Sequence, residues 1–285
     1  MSSTHTTITA WFQEAEQRFS NTDLPSPRLD AELLLAHALE VDRTWLHAHG
    51  DEVLTAQQLT KLEHLITRRL NREPIAYITG RKEFYGREFI VTPDVLIPRP
   101  ESETMIDLLK SLHPAILAKT PRSKEQIFLI DVGTGSGCLG ITAKLELPEL
   151  NVTLSDVSRT ALTIARENAE RFRADVRLLE SYLLSNLQPL ASSVHCILAN
   201  LPYVDESWER SPETDHEPAL ALFAEQRGLE LIYKLLDQTP KVLASGGYIL
   251  LEADPEQHAA IIRRGQQNGL RLEAIRDYIV ILQKP

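Results

Sequence analysis

Phe128-Leu129-Ile130-Asp131-Val132-Gly133-Thr134-Gly135-Ser136-Gly137 is the stretch that most limits what this chain can fold into. An apolar run stops at an acid, and three alternate glycines follow. Glycine lets a backbone turn tightly and approach a ligand closely, so the stretch reads as a buried strand that ends in a loop and opens a helix. From Gln126 onward the pattern keeps alternating. Strands are expected over 127–130, 152–154, 176–179, 194–199 and 248–251, helices over 138–145, 159–172, 228–236 and 256–267, and closing strands over 272–275 and 278–282. Such alternation builds an α/β domain, a mostly parallel sheet covered by helices.

The loop admits two ligands. Gly135-x-Gly137-x-x-Gly140 matches the dinucleotide fingerprint, and Asp156, near the end of the next strand, can hydrogen-bond ribose hydroxyls of either NAD or S-adenosylmethionine. Asp131 separates the two. Dinucleotide folds present their first glycine directly after an apolar strand, facing a pyrophosphate. S-adenosylmethionine has no phosphate, and its charged amino-acid moiety and sulfonium accept a carboxylate, directly or through water. The bland alternative, a tight turn with no ligand, has no need of a ribose acid downstream. Neither GxxxxGK[ST] nor GxSxG can be drawn here, so triphosphate and serine hydrolysis lose support.

A second apolar run, Val194-His195-Cys196-Ile197-Leu198-Ala199, ends as abruptly in Asn200-Leu201-Pro202-Tyr203. Ligands of an open α/β sheet bind at the carboxyl ends of its strands. A carboxamide and a free carbonyl therefore stand where a ligand is expected. Amide and aromatic amine nitrogens are poor nucleophiles because the lone pair is delocalised. A protein helps such a nitrogen by accepting both N–H hydrogens, which orients it and stabilises positive charge as a methyl arrives. Asn200 offers its side-chain oxygen and Leu201 its backbone carbonyl. Pro202 biases Leu201 toward an extended conformation, and Tyr203 can pack against a planar group. Taken alone, Asn-x-Pro is a common turn; its place after the fourth strand gives it weight.

Earlier in the chain the pattern is helical. Ile8, Trp11, Phe12, Ala15 and Phe19 are spaced for one helix, and Ser26-Pro27 reads as an N-cap with proline at the first position of a second, which buries Ala31, Leu34, Leu35 and Ala38. A short turn starts at Asp42 or Arg43, and Thr55 caps a helix carrying Leu59, Leu62, Ile66 and Leu70. This bundle shows no catalytic constellation, and Trp11 and Trp45 read as core. Residues 82–85 and 88–91, around Gly86, suggest a hairpin. Ile97-Pro98-Arg99-Pro100-Glu101 is rigid because two prolines fix φ around the arginine, and a helix follows over 101–112. Arg99 reads as a pocket residue or half of a salt bridge, Glu217-Pro218 as a channel wall or a loop end, and 204–216 as a polar lid.

The net charge of −10 speaks against a basic nucleic-acid groove. Cys138 and Cys196 form no CxxC pair and the nine histidines show no metal spacing, so neither a disulfide framework nor a metal site is expected. No signal peptide and no membrane-spanning run is visible. The expectation is a cytoplasmic protein with no membrane and no direct nucleic-acid partner.

Asn200-Leu201-Pro202-Tyr203 is similar to the Asn-Pro-Pro-Tyr motif of amino-group methyltransferases. Three further stretches narrow the likeness: Pro74-Ile75-Ala76-Tyr77-Ile78-Thr79-Gly80, Leu96-Ile97-Pro98-Arg99-Pro100-Glu101-Ser102-Glu103 and Glu217-Pro218-Ala219-Leu220-Ala221-Leu222. With the helical N-terminus they resemble, over almost the whole chain, the bacterial HemK/PrmC family of protein-(glutamine-N5) methyltransferases acting on peptide chain release factors. The resemblance implies an N-terminal helical substrate-docking domain over 1–75, a β-hairpin linker over 76–97 and a Rossmann-like class I methyltransferase domain over 98–285. It implies S-adenosylmethionine held by Gly133, Thr134, Gly135, Ser136, Gly137 and Asp156, with Asp131, Leu183 and Asn200 expected to join the cofactor site. It implies the glutamine of the Gly-Gly-Gln loop of class I release factors held by Asn200, Leu201, Pro202 and Tyr203; a monomer is expected. Three departures stand out. Leu201 replaces the first proline of the motif, giving up a locked φ and adding an N–H. Tyr182 and Leu183 stand where the family commonly carries an acid and an aromatic near the adenine. The C-terminal segment around Arg276-Asp277-Tyr278 is shortened. Glutamine methylation of a ribosomal protein and a non-catalytic module binding release factors or ribosomes stay open as alternatives.

Overall fold

Capping chemistry sets the helices of the first eighty residues. The computed structural model describes residues 6–119, 126–190 and 193–285 and divides into two units, Met1–Arg81 with Ser211–His216, and Lys82–Arg210 with Glu217–Pro285. In the first, Thr7 Oγ1 accepts from Ala10 N and opens α1 (Ile8–Ser20). α2 (Pro27–Leu39) has proline at its start, but Ser26 makes no side-chain cap bond, because its backbone (φ −140°, ψ 57°) departs from the extended geometry that aims a cap hydroxyl at the first turn. Asp42 caps α3 (Arg43–Ala48), and Thr55 with Gln58 forms a capping box on α4 (Ala56–Leu70). α5 (Ile75–Thr79) ends at Gly80. Trp11, Phe19, Leu34, Leu35, Leu62 and Ile66 meet in one core.

Arg69 is a buried cation in this unit. Arg69 Nε donates to Asp30 Oδ2 at 2.7 Å and a second nitrogen lies 3.1 Å from Glu213 Oε1, while Arg72 reaches Glu213 Oε2 at 3.0 Å. The acidic stretch expected to be a lid is thus held at Glu213 by two arginines.

From Lys82 the second unit takes in the hairpin of β1 (Arg81–Phe84) and β2 (Arg87–Ile90), whose Phe84 and Phe89 rings pack edge to face in the core. A 3₁₀ turn, Pro100–Ser102, leads into α6 (Glu103–Lys119), which outruns its expected end because the helix continues through Pro114. There follow β3 (Ile127–Val132), α7 (Cys138–Glu146), β4 (Leu150–Asp156), α8 (Arg159–Phe172), β5 (Val176–Glu180) and β6 (Val194–Ala199). Two single turns, α9 (Ala219–Leu222) and α10 (Glu225–Gly228), precede α11 (Glu230–Val242), β7 (Leu243–Glu252), α12 (Pro255–Gln267), β8 (Arg271–Arg276) and β9 (Ile279–Gln283).

The sheet order is β5-β4-β3-β6-β7-β9-β8. The first five strands are parallel and β9 runs antiparallel to both neighbours. The expected α/β sheet is present, and the inserted β9 sets it apart from the 3-2-1-4-5-6 order of dinucleotide folds. The chain winds outward from β3 to β5, then returns to lay β6 on the other side of β3. A crevice opens at the carboxyl ends where the order reverses. Val132 pairs with Ala199 and Ala199 with Leu251, so the glycine loop, Asn200 and Glu252 leave the sheet at one level. No helix among the described residues is long and apolar enough to cross a membrane.

Candidate active site

A cavity of about 300 Å³ occupies that crevice, a volume suited to a small-molecule ligand. Its floor is the loop after β3. Gly133 N and Thr134 N both donate to Ser155 O at 2.8 and 3.0 Å, and Gly135 N donates to Asp156 Oδ2 at 2.9 Å. Asp156 Oδ1 accepts from Ser158 N, so this carboxylate fastens the loop to the start of α8 while lining the cavity. Burial raises its carboxyl above the usual range.

Asp131 stands behind the loop, 1% exposed. Its Oδ2 accepts from Thr134 Oγ1 at 2.5 Å and Gly140 N at 2.9 Å, and its Oδ1 has no hydrogen-bond partner. Burial pushes this carboxyl up to about 6, against the two hydrogen bonds that favour the charged form. Of the residues expected from sequence, Gly133, Thr134, Gly135, Ser136, Asp156, Leu183, Asn200, Leu201 and Pro202 line the cavity; Asp131, Gly137 and Tyr203 do not. Tyr182 joins the lining, with its hydroxyl 3.2 Å from Lys234 Nζ.

Leu201 is buried, and its Cδ2 fills the space a side chain at Gly133 would need: a Cβ there would lie 2.9 Å away. Gly133 also has φ +71°, where L side chains are strained. The residue that departs from the motif therefore packs on the first glycine of the loop, joining the two stretches. Asn200 Nδ2 donates to Ser102 Oγ at 3.0 Å, and Ser102 Oγ donates to Glu252 Oε2 at 2.5 Å. Tyr203 turns its hydroxyl to Glu252 Oε1 at 3.4 Å, and its carbonyl accepts from Gln257 Nε2 at 2.8 Å. Burial, then the Glu252 carboxylate, raises the Tyr203 hydroxyl pKa.

Arg99 satisfies both of its readings, lining the cavity and pairing with Glu217, whose other oxygen accepts from Ile97 N. His195 Nδ1 accepts from Phe128 N at 3.2 Å, a strand-to-strand contact. Burial pushes the Cys138 and Cys196 thiols up to about 12, the opposite of an activated nucleophile.

Residues 10–80 match the PrmC N-terminal domain, and residues 112–216, from α6 past Asn200, match the methyltransferase small domain. The release factor glutamine methyltransferase of Koribacter versatilis is 40% identical over 257 residues, which cover 87% of this chain and 89% of that protein. The chain belongs to the release factor glutamine methyltransferase family. The Salmonella typhimurium member is 34% identical over 272 residues, 94% of each chain. A bifunctional methyltransferase of Rickettsia felis is 33% identical over 286 residues, and the match spans 54% of that longer protein.

Sequence reading of this family member missed Glu252, Ser102, Gln257 and Asn168. Asn168, fully buried on α8, donates Nδ2 to Ser136 O and Ile90 O and accepts from Ile90 N, tying the glycine loop to β2. Its signal was an amide on the apolar stripe with Ala161, Leu162 and Ala165. Glu252 carried the same signal as Asp131 and Asn200, a polar residue that stops an apolar strand.

Proposed function

We propose that this protein transfers a methyl group from S-adenosylmethionine to the side-chain amide nitrogen of the Gly-Gly-Gln glutamine in class I release factors. The observation that carries the reading is the arrangement at the switch point: the amide of Asn200 stands beside a glycine loop backed by a buried carboxylate, at the carboxyl ends of adjacent strands. The residues fit the cofactor. Asp131 Oδ1 is a buried acceptor without a partner, matched to a cationic ligand, and Asp156 retains lone pairs for ribose hydroxyls. Leu183 and Val157 offer apolar surface for a base.

S-adenosylmethionine supplies an electrophilic methyl group. Asn200 Oδ1 and the Leu201 carbonyl accept the two N–H hydrogens of the glutamine amide, which orients its nitrogen and stabilises the growing positive charge. Pro202 biases Leu201 toward an extended backbone, and Tyr203 braces the stretch through Glu252 and Gln257. No strong base is needed, since the proton leaves after the methyl has arrived. The helical unit serves to dock the release factor.

Mass spectrometry of a release factor incubated with the protein and S-adenosylmethionine tests this. Gain of one methyl on the Gly-Gly-Gln glutamine is expected. No gain on that residue, with methylation of a ribosomal protein instead, would refute the substrate.

A further inference from the structure

A carboxamide looks nearly symmetrical but acts with opposite polarity at its two ends. One end accepts hydrogen bonds and the other donates. Holding a substrate N–H requires the oxygen to face the cavity; the reversed amide would set donor against donor. Which way Asn200 points therefore decides whether the site works.

Three residues settle it. Glu252 is 1% exposed at the end of β7, and its two oxygens receive Ser102 Oγ and the Tyr203 hydroxyl. Burial raises the Glu252 carboxyl, while hydrogen bonds from Ser102, Tyr203 and Asn200 favour its charged form; as a carboxylate it only accepts, so the single Ser102 hydroxyl proton goes to Glu252. Toward Asn200, Ser102 can then only accept, and the amide must present Nδ2, as it does at 3.0 Å. Ser102 has little freedom to do otherwise: it is 2% exposed and ends the 3₁₀ turn that begins at Pro100. A buried carboxylate is also a costly filler, since apolar residues of similar volume often replace buried charges without loss of stability.

We propose that Glu252 is a positioning residue, which through Ser102 fixes the end of the Asn200 carboxamide that faces the cavity and so makes Asn200 an acceptor. The proposal rests on the methyl-transfer reading above.

Initial rates of release factor methylation test it. Glu252→Met, of similar length but with no acceptor, lowers kcat about a hundredfold, while KM for the release factor and the cofactor Kd by calorimetry stay within about threefold. Glu252→Gln keeps a carbonyl oxygen for Ser102 and recovers to within about fivefold of wild type. Ser102→Ala breaks the relay with little change in volume, lowers kcat by at least about tenfold and decides the matter should Glu252→Met not fold. In an Asn200→Ala background, Glu252→Met lowers the residual rate no further. Wild-type kcat in Glu252→Met or Ser102→Ala overturns the proposal. So does a Glu252→Gln rate as low as that of Glu252→Met, or a full multiplicative loss in the Asn200→Ala background. A wild-type protein that leaves the glutamine unmethylated overturns the underlying reading, whereas an active wild type with unaffected variants overturns this inference alone.

Discussion

Asp131→Asn probes the electrostatic design of the cofactor side. Burial raises the Asp131 carboxyl from 3.8 to about 6. That gap of about two pH units, at about 1.36 kcal/mol each, makes the charged form cost about 3 kcal/mol. Between those values the folded protein keeps the proton that the unfolded chain has released. Stability therefore falls as pH rises through this window, and the penalty is complete above about pH 6. A bound cation reverses the preference. In the proposed site S-adenosylmethionine places positive charge toward the unpartnered Oδ1, so below about pH 6 binding must expel the proton. Calorimetry at pH 7 and pH 5 should show S-adenosylmethionine binding about tenfold weaker at the lower pH. Asp156 faces neutral ribose hydroxyls in this reading and adds little slope. Asp131→Asn should bind more weakly at pH 7 and lose the pH dependence. Equal wild-type affinity at the two pH values, or an unchanged slope in Asp131→Asn, refutes the reasoning.

Leu201→Pro restores the usual motif but empties the contact with Gly133. Urea unfolding should show a loss of about 1–2 kcal/mol, with kcat within about threefold of wild type; a collapse of kcat would show that the leucine side chain itself serves the reaction. Gly228→Ala should cost about a hundredfold in methylation rate, because a Cβ there would lie 1.8 Å from Tyr203 O and Gly228 has φ +78°; a wild-type rate would contradict the role given to the Tyr203 brace. Arg69→Met leaves Asp30 without its buried partner and Glu213 with Arg72 alone, and should destabilise the helical unit by about 3–5 kcal/mol, read from Trp11 and Trp45 fluorescence in urea. A change under about 1 kcal/mol would mean the ion cluster is not what holds Glu213 there.

Elements whose ends carry their own local chemistry were legible in the sequence. The helix over 159–172 matches at both ends, since Ser158 caps it. The strand over 194–199 matches as well, stopped by Asn200 and Pro202. The order of strands was not legible, because periodicity reports which face is buried and says nothing of which neighbour lies alongside. The antiparallel insertion of β9 is such a case. The same limit hid the Asn200 relay, whose partners lie 98 and 150 residues apart in the chain. Ser26 failed for a different reason: residue type proposes a cap, but backbone angles decide whether the hydroxyl reaches an amide.

β3, β6 and β7 are apolar runs with a polar side chain at or beside the carboxyl edge: Asp131 one residue inside the end of β3, Asn200 just past β6 and Glu252 closing β7. Parallel pairing in register brings adjacent strand ends to one level, so three such stops on neighbouring strands must converge. Their chemistry then divides by charge. The acid on β3 answers a cation and the amide on β6 accepts a neutral N–H. The acid on β7 already has a donor on each oxygen, Ser102 and Tyr203, whereas Asp131 Oδ1 has none, and it acts instead on the polarity of the amide between them. In a parallel sheet, polar stops on adjacent strands are thus best read together, because the sheet makes them one site before any loop is placed.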